Sequence, residues 1–278
     1  MTQDLLRRWA RETPDKTFAI FEKGTQWSYV QALTLSWRVG NALSRLGVRP
    51  GQSVLSLLPN GEEAIAAFFG ANAAGAIWAP INVAYRGGIL QHALNLPRSE
   101  ILVVAGDLYD RLVGLDLPHI RTIVVVGAEP ASKLDVKHVP WTDLQQGEAL
   151  EPAEVCRRKP TDDMVYIYTS GTTGPSKAVR CSYRHHEVYA DWYGRELNET
   201  DRCFLCLPMF HIGGTAWVMQ TLNGGGTGVI LAQPDVAVII AAVQKHGITK
   251  MFAVPAVLNM ILNHPDAQGA DFSSMRVL

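Results

Sequence analysis

The chain is expected to adopt an α/β fold of two doubly wound, mainly parallel sheets covered by helices. Three observations lead there. Short apolar runs alternate with helix-like segments from about residue 50 onward. The runs are continuous rather than alternating, as in strands buried on both faces of a parallel sheet. A stretch with four prolines then interrupts the pattern before it resumes. With 278 residues and 47% hydrophobic composition, the chain can bury one large core or two moderate ones.

The elements follow in order. Ser53 to Leu58 reads as a strand, and Pro59-Asn60-Gly61 turns it into a helix from Glu62 to Asn72. Ala76 to Ile81 is the next strand and Gly88 to Leu94 the next helix. Ile101 to Val104 and Thr122 to Val126 are short apolar strands. Gly127 to Asp162, with Pro130, Pro140, Pro152 and Pro160, reads either as a long surface excursion or as a boundary between two sheets. Met164 to Tyr168, β-branched and aromatic, reads as a buried strand. Beyond it come helices at Ser182 to Trp192, Thr215 to Leu222 and Val236 to His246. Strands are expected at Cys203 to Leu207, Gly228 to Leu231 and Lys250 to Val254, and Met275 to Leu278 reads as the opening of another. This alternation is that of doubly wound sheets. The expected partition is a first subdomain over about 50–190 and a second, incomplete one from 1–49 plus 191–278.

Composition narrows the function classes. Net charge is −1, and the 18% charged residues intersperse both signs, which argues against nucleic acid as a partner. The first eight residues lack the apolar stretch of a signal peptide. The most apolar segment, Ala66 to Ile81, is broken by Gly70, Asn72, Gly75 and Pro80, so no membrane span is expected and a cytoplasmic location is the default. Four cysteines are too few for a disulfide framework, and Cys203 and Cys206 read as core rather than as a metal half-site. His185 and His186, adjacent at the start of a helix, read as surface residues.

The chemistry is concentrated in Tyr168-Thr169-Ser170-Gly171-Thr172-Thr173-Gly174-Pro175-Ser176-Lys177. Gly171 and Gly174 remove Cβ atoms that would keep backbone N–H groups from an anion. The hydroxyls of Thr169, Ser170, Thr172, Thr173 and Ser176 add donors, and Lys177 adds a compact positive charge. A strand running into such a loop is suited to a polyphosphate. It is not a Walker A loop, which counted from Gly171 would need Gly at 176 and Ser or Thr at 178, where the chain has Ser176 and Ala178. A second segment, Leu207-Pro208-Met209-Phe210-His211-Ile212-Gly213-Gly214, places a histidine after a strand and a turn.

At these two segments the chain resembles the adenylate-forming superfamily of acyl-CoA synthetases, luciferases and peptide-synthetase adenylation domains. The first is similar to their Ser/Thr/Gly-rich loop closing on Pro-Lys-Gly, the second to their Leu-Pro-x-Phe-His segment. Trp27-Ser28-Tyr29 and Val254-Pro255 also fit, and Pro80 to Gly87 resembles the matching stretch of crotonobetaine/carnitine-type ligases. The resemblance covers nearly the whole chain but only the front half or so of a typical member. It implies a truncated N-terminal adenylation domain. The implied reaction activates a carboxylic acid with ATP and passes the acyl group to coenzyme A. Thr169 to Lys177 would hold the β- and γ-phosphates, with Lys177 on the leaving group. His211, with Gly213 and Gly214, would position the acid. The magnesium ligand is expected in a segment that relatives carry further on, so no metal ligand is assigned.

Two departures stand out: Ala178 where most relatives have Gly, and Tyr183-Arg184-His185 where many have His-x-Asn. The chain is expected to be inactive alone and to self-associate, most simply as a homodimer through apolar surface near Trp217, Val238, Ile239, Met251 and Phe252. Two alternatives stay open: a non-catalytic polyphosphate-binding or dimerising module, and an adenylation domain that loads a carrier protein.

Overall fold

The computed structural model describes residues 1–153, 155, 158–169, 176–194, 197–232 and 235–276, with the side chains of 190–194 left outside the description. Helix α1 (Thr2–Glu12) is amphipathic and buries Leu6 and Trp9. Strands β1 (Thr17–Phe21) and β2 (Gln26–Ser28) form an antiparallel pair. Ser28 then starts α2 (Tyr29–Arg45) with a capping box: its hydroxyl accepts from Gln31 N at 3.3 Å, and its own N–H donates to Gln31 Oε1 at 2.8 Å.

The predicted alternation follows as β3 (Ser53–Leu57), α3 (Glu62–Ala73), β4 (Ile77–Pro80), α4 (Gly87–Asn95), β5 (Ile101–Ala105) and β6 (Thr122–Val126). Every residue of β3, β4 and β5 is buried, which is why their sequences show no alternation. Gly127 to Asp162 is more than a surface excursion, since it holds β7 (Lys137–Pro140) and α5 (Trp141–Gln145). Half-exposed β7 is too short for its period to show, and Pro140 is tolerated because the strand lies at a sheet edge.

Next come β8 (Asp163–Thr169), β9 (Lys177–Ser182), α6 (Tyr183–Gly194) and β10 (Arg202–Leu205). The chain continues through α7 (Ile212–Gly224), β11 (Thr227–Ile230), α8 (Val236–His246), β12 (Lys250–Met251) and α9 (Pro255–Leu262). A seven-stranded sheet has the order β7-β6-β5-β3-β4-β8-β9, parallel except for β8 against β9. A five-stranded sheet has the order β12-β10-β11-β1-β2, parallel except for β1 against β2. Hydrogen bonds from the N-terminal helices reach the second sheet's layer. Trp9 Nε1 donates to Leu222 O at 2.7 Å, and the Tyr29 hydroxyl donates to Gly226 O at 2.7 Å.

Four expectations need correction. Strand β9 was not foreseen, because its exposed positions at Lys177, Val179 and Arg180 hide any buried run. Strand β12 stops at Met251, since Val254 caps α9 and Pro255 opens it, the position where a missing N–H costs least. At the far end, Met275 and Arg276 are not in a strand, although Arg276 N donates to Thr249 O at 2.7 Å; Val277 and Leu278 lie outside the described residues. Trp217, Ile239 and Met251 are buried rather than uncovered. Val238 is exposed and Phe252 partly so, as expected; the most exposed apolar residues near this end are Met260 and Leu262 of α9, beside an apolar groove of about 470 Å³ lined by Val243, Leu258 and Phe272 among others.

Candidate functional site

The first half of the site is the mouth of the β8–β9 hairpin. Thr169 pairs with Lys177 and Tyr168 with Ala178. Thr169 Oγ1 donates to Lys177 O at 3.4 Å, and both residues are exposed. Ser176 is partly buried, and its hydroxyl has no hydrogen-bond partner among the described residues. Ser170, Gly171, Thr172, Thr173 and Gly174 lie outside the described residues. Ala178 sits in the regular ladder, so the methyl it carries in place of Gly meets no conformational objection. The stem is fastened to α4: the Tyr168 hydroxyl donates to Ala93 O at 2.9 Å, and His92 Nε2 lies 2.8 Å from Ser176 O. Burial pushes the Tyr168 phenol up, so it serves as a neutral donor.

The second half is the turn after β10. His211 occupies the N-cap of α7, and its backbone N–H donates to Pro208 O at 3.0 Å. Its ring lies at the rim, 4.7 Å from that of Phe210, and partial burial holds its pKa below the ordinary histidine value. The positive end of the α7 dipole lies at the same place. Gly213 and Gly214 are buried. A Cβ at 214 would fall 2.3 Å from Pro208 O, and one at 213 would fall 2.8 Å from Leu207 Cδ1. Both glycines let α7 fold back onto the turn that presents His211.

Asn60 joins the two halves, and sequence reasoning passed over it as a turn residue. Its side chain donates from Nδ2 to Leu207 O at 3.0 Å and accepts at Oδ1 from Met209 N at 2.8 Å. Asn60 follows β3, and β3 and β8 flank β4 as parallel neighbours. At roughly 4.8 Å per strand step, the β3 and β8 ends stand about 10 Å apart on one sheet edge. The Asn60 bonds thus bring the His211 turn to the edge that carries Thr169 and Lys177. Ligands of α/β sheets bind outside the carboxyl ends of strands, and both halves stand there. No signal in the sequence separates Asn60 from an ordinary turn asparagine.

His185 is exposed, but its neighbour corrects the surface reading: His186 is fully buried. Its Nε2 lies 3.2 Å from Thr215 Oγ1, which spends its own proton on Ile212 O at 3.1 Å. Burial, aided by His185 and opposed by a backbone hydrogen bond at Ser182, lowers the imidazole's pKa to about 4. Burial also pushes the Cys203 and Cys206 thiols up, to about 12 and about 11. That is the opposite of what a reactive or metal-binding thiolate requires.

Residues 6–278 match the family described as AMP-binding enzyme. A methyl-dioxo-octahydroindenyl-propanoyl:CoA ligase from Rhodococcus jostii (strain RHA1) is 31% identical over 99% of this chain and 56% of its own length. A feruloyl-CoA synthase from Amycolatopsis is 29% identical over 98% of this chain and 52% of its own length. The chain thus spans about half the length of the curated relatives it matches. The fold is that of a solved anthranilate CoA ligase in complex with anthranoyl-AMP, with a TM-score of 0.90 and 24% identity over 99% of this chain and 54% of that one. Among the described residues, no helix is long and apolar enough to cross a membrane.

Proposed function

The chain belongs to the AMP-binding enzyme family, and from that premise we propose that it supplies the polyphosphate-gripping part of an ATP-dependent acid–thiol ligase. The observation that carries this reading is the hairpin mouth. Thr169 and Lys177 face each other at the carboxyl edge of the seven-stranded sheet, on either side of a segment rich in glycine and hydroxyls.

In the proposed reaction a carboxylate oxygen of the acid attacks the α-phosphorus of ATP. The bond from that phosphorus to the bridging oxygen breaks, and pyrophosphate leaves with the electron pair. The acyl-adenylate then yields its acyl group to a thiol, and AMP departs. Such chemistry depends on positioning and on stabilising charge as it develops. Lys177, exposed and at the start of β9, puts a point charge where the leaving group gathers negative charge. The hydroxyls and amides of 169–176 complete the grip, and the desolvation that lowers the His211 pKa favours the neutral ring, able to hydrogen-bond the acid. The CoA ligase and CoA synthase relatives favour coenzyme A as the acceptor thiol. ATP chemistry of this kind uses magnesium. Among the described residues no three His, Cys, Asp or Glu side chains converge as a metal-binding group, so no ligand is assigned and no step is routed through the ion.

Titration calorimetry with pyrophosphate and with ATP tests the grip. The 278-residue chain is expected to bind on the order of millimolar, since phosphate contacts alone leave little surplus free energy. Lys177→Ala should remove the binding without changing the melting temperature, because an exposed lysine packs against little. Equal affinity in variant and parent would reduce the loop to a surface turn.

A further inference from the structure

Consecutive residues of one helix hold the two strands at the loop mouth. Tyr168 of β8 bonds to Ala93 O, and His92 reaches Ser176 O, the last backbone group before β9. A carbonyl only accepts, so His92 Nε2 carries a proton and donates it. The platform is stiff, because Leu90, Ala93 and Leu94 of α4 are fully buried. The strand it steadies is not: β9 is an edge strand, exposed at Lys177, Val179 and Arg180.

Resting on the functional reading above, we infer that His92 is a positioning residue for the polyphosphate loop. Its hydrogen bond fixes the Ser176 carbonyl, and with it the directions in which Ser176 Oγ and Lys177 Nζ leave the backbone. The role acts through Ser176, not on the phosphates themselves. A loop closed only by the Thr169–Lys177 pair at a sheet edge would fray at its mouth. Ordering that mouth would then be charged against every binding event. An anchor on a buried helix sets the geometry before the anion arrives, so less ordering entropy opposes binding.

The test uses the full 278-residue chain and pyrophosphate as the probe. Calorimetry compares the parent with His92→Ala, His92→Gln and Lys177→Ala, and amide exchange is followed at Lys177 and Ala178 without ligand. His92→Ala should weaken affinity about 5- to 10-fold, the range of one lost hydrogen bond, and speed exchange at both amides. His92→Gln, which can still donate, should return affinity to within about 3-fold of the parent. His92→Leu, similar in bulk but without a donor, takes the place of the alanine variant should that one not fold. Parental affinity in His92→Ala or His92→Leu, or no recovery in His92→Gln, overturns the positioning role. Retained affinity in Lys177→Ala instead overturns the functional reading on which it rests.

Discussion

His186 shows how one buried residue can make the whole fold sensitive to pH. Folding takes its imidazole out of water and sets its Nε2 beside Thr215. Its folded pKa, about 4, lies below the unfolded value of 6.5. Between those values the unfolded chain binds the proton that the folded chain refuses, so stability falls as pH drops through the window. The loss approaches about 3 kcal/mol by pH 4, at 1.36 kcal/mol per pKa unit. Denaturant melts between pH 7 and pH 4 should show that slope, and His186→Leu should flatten it; an unchanged slope would contradict the assignment. None of this was legible from the sequence. Two adjacent histidines at a helix start look like solvated residues, and only the packing of α7 against α6 decides which one is enclosed. Lys177 and His211 are proposed site residues because their neighbours form dense local motifs, whereas Asn60 stands in an ordinary turn and bonds across the molecule.

At the scale of elements, the junction of β10, its turn and α7 depends on close backbone approach. A methyl at position 214 would meet the Pro208 carbonyl, which is backbone and cannot rotate away. Gly214→Ala is therefore expected to cost about 1–3 kcal/mol and to shift the His211 turn. Thermal melts and the His211 ring resonances check both effects; a parental melting temperature with unmoved resonances would show the contact to be slack. Elements were readable where burial is two-sided, as in β3, β5 and β6, whose apolar runs are continuous. They were not readable at the edges. Strands β7 and β9 are half-exposed, and the helix α9 follows a two-residue strand where the apolar pattern runs on to Val254.

At the scale of the molecule, the apolar runs point to two sheets but not to how the sheets meet. Asn60 makes one of those contacts with both ends of its amide, and it is buried. Asn60→Ala leaves Leu207 O and Met209 N without these partners, for an expected loss of about 1–3 kcal/mol. It should also loosen the His211 turn against the seven-stranded sheet, seen as faster amide exchange at Met209. Parental stability and exchange would show that other contacts set the junction. The proposed polyphosphate site is the carboxyl edge of the seven-stranded sheet, where Thr169 and Lys177 stand. Amide chemical-shift mapping of the 278-residue chain during a pyrophosphate titration tests it most directly. Saturable shifts are expected at Thr169, Ser176 and Lys177, absent in Lys177→Ala, with the strand ends far from this edge unmoved. Shifts spread evenly over surface lysines and arginines, or none at these three residues, would contradict it.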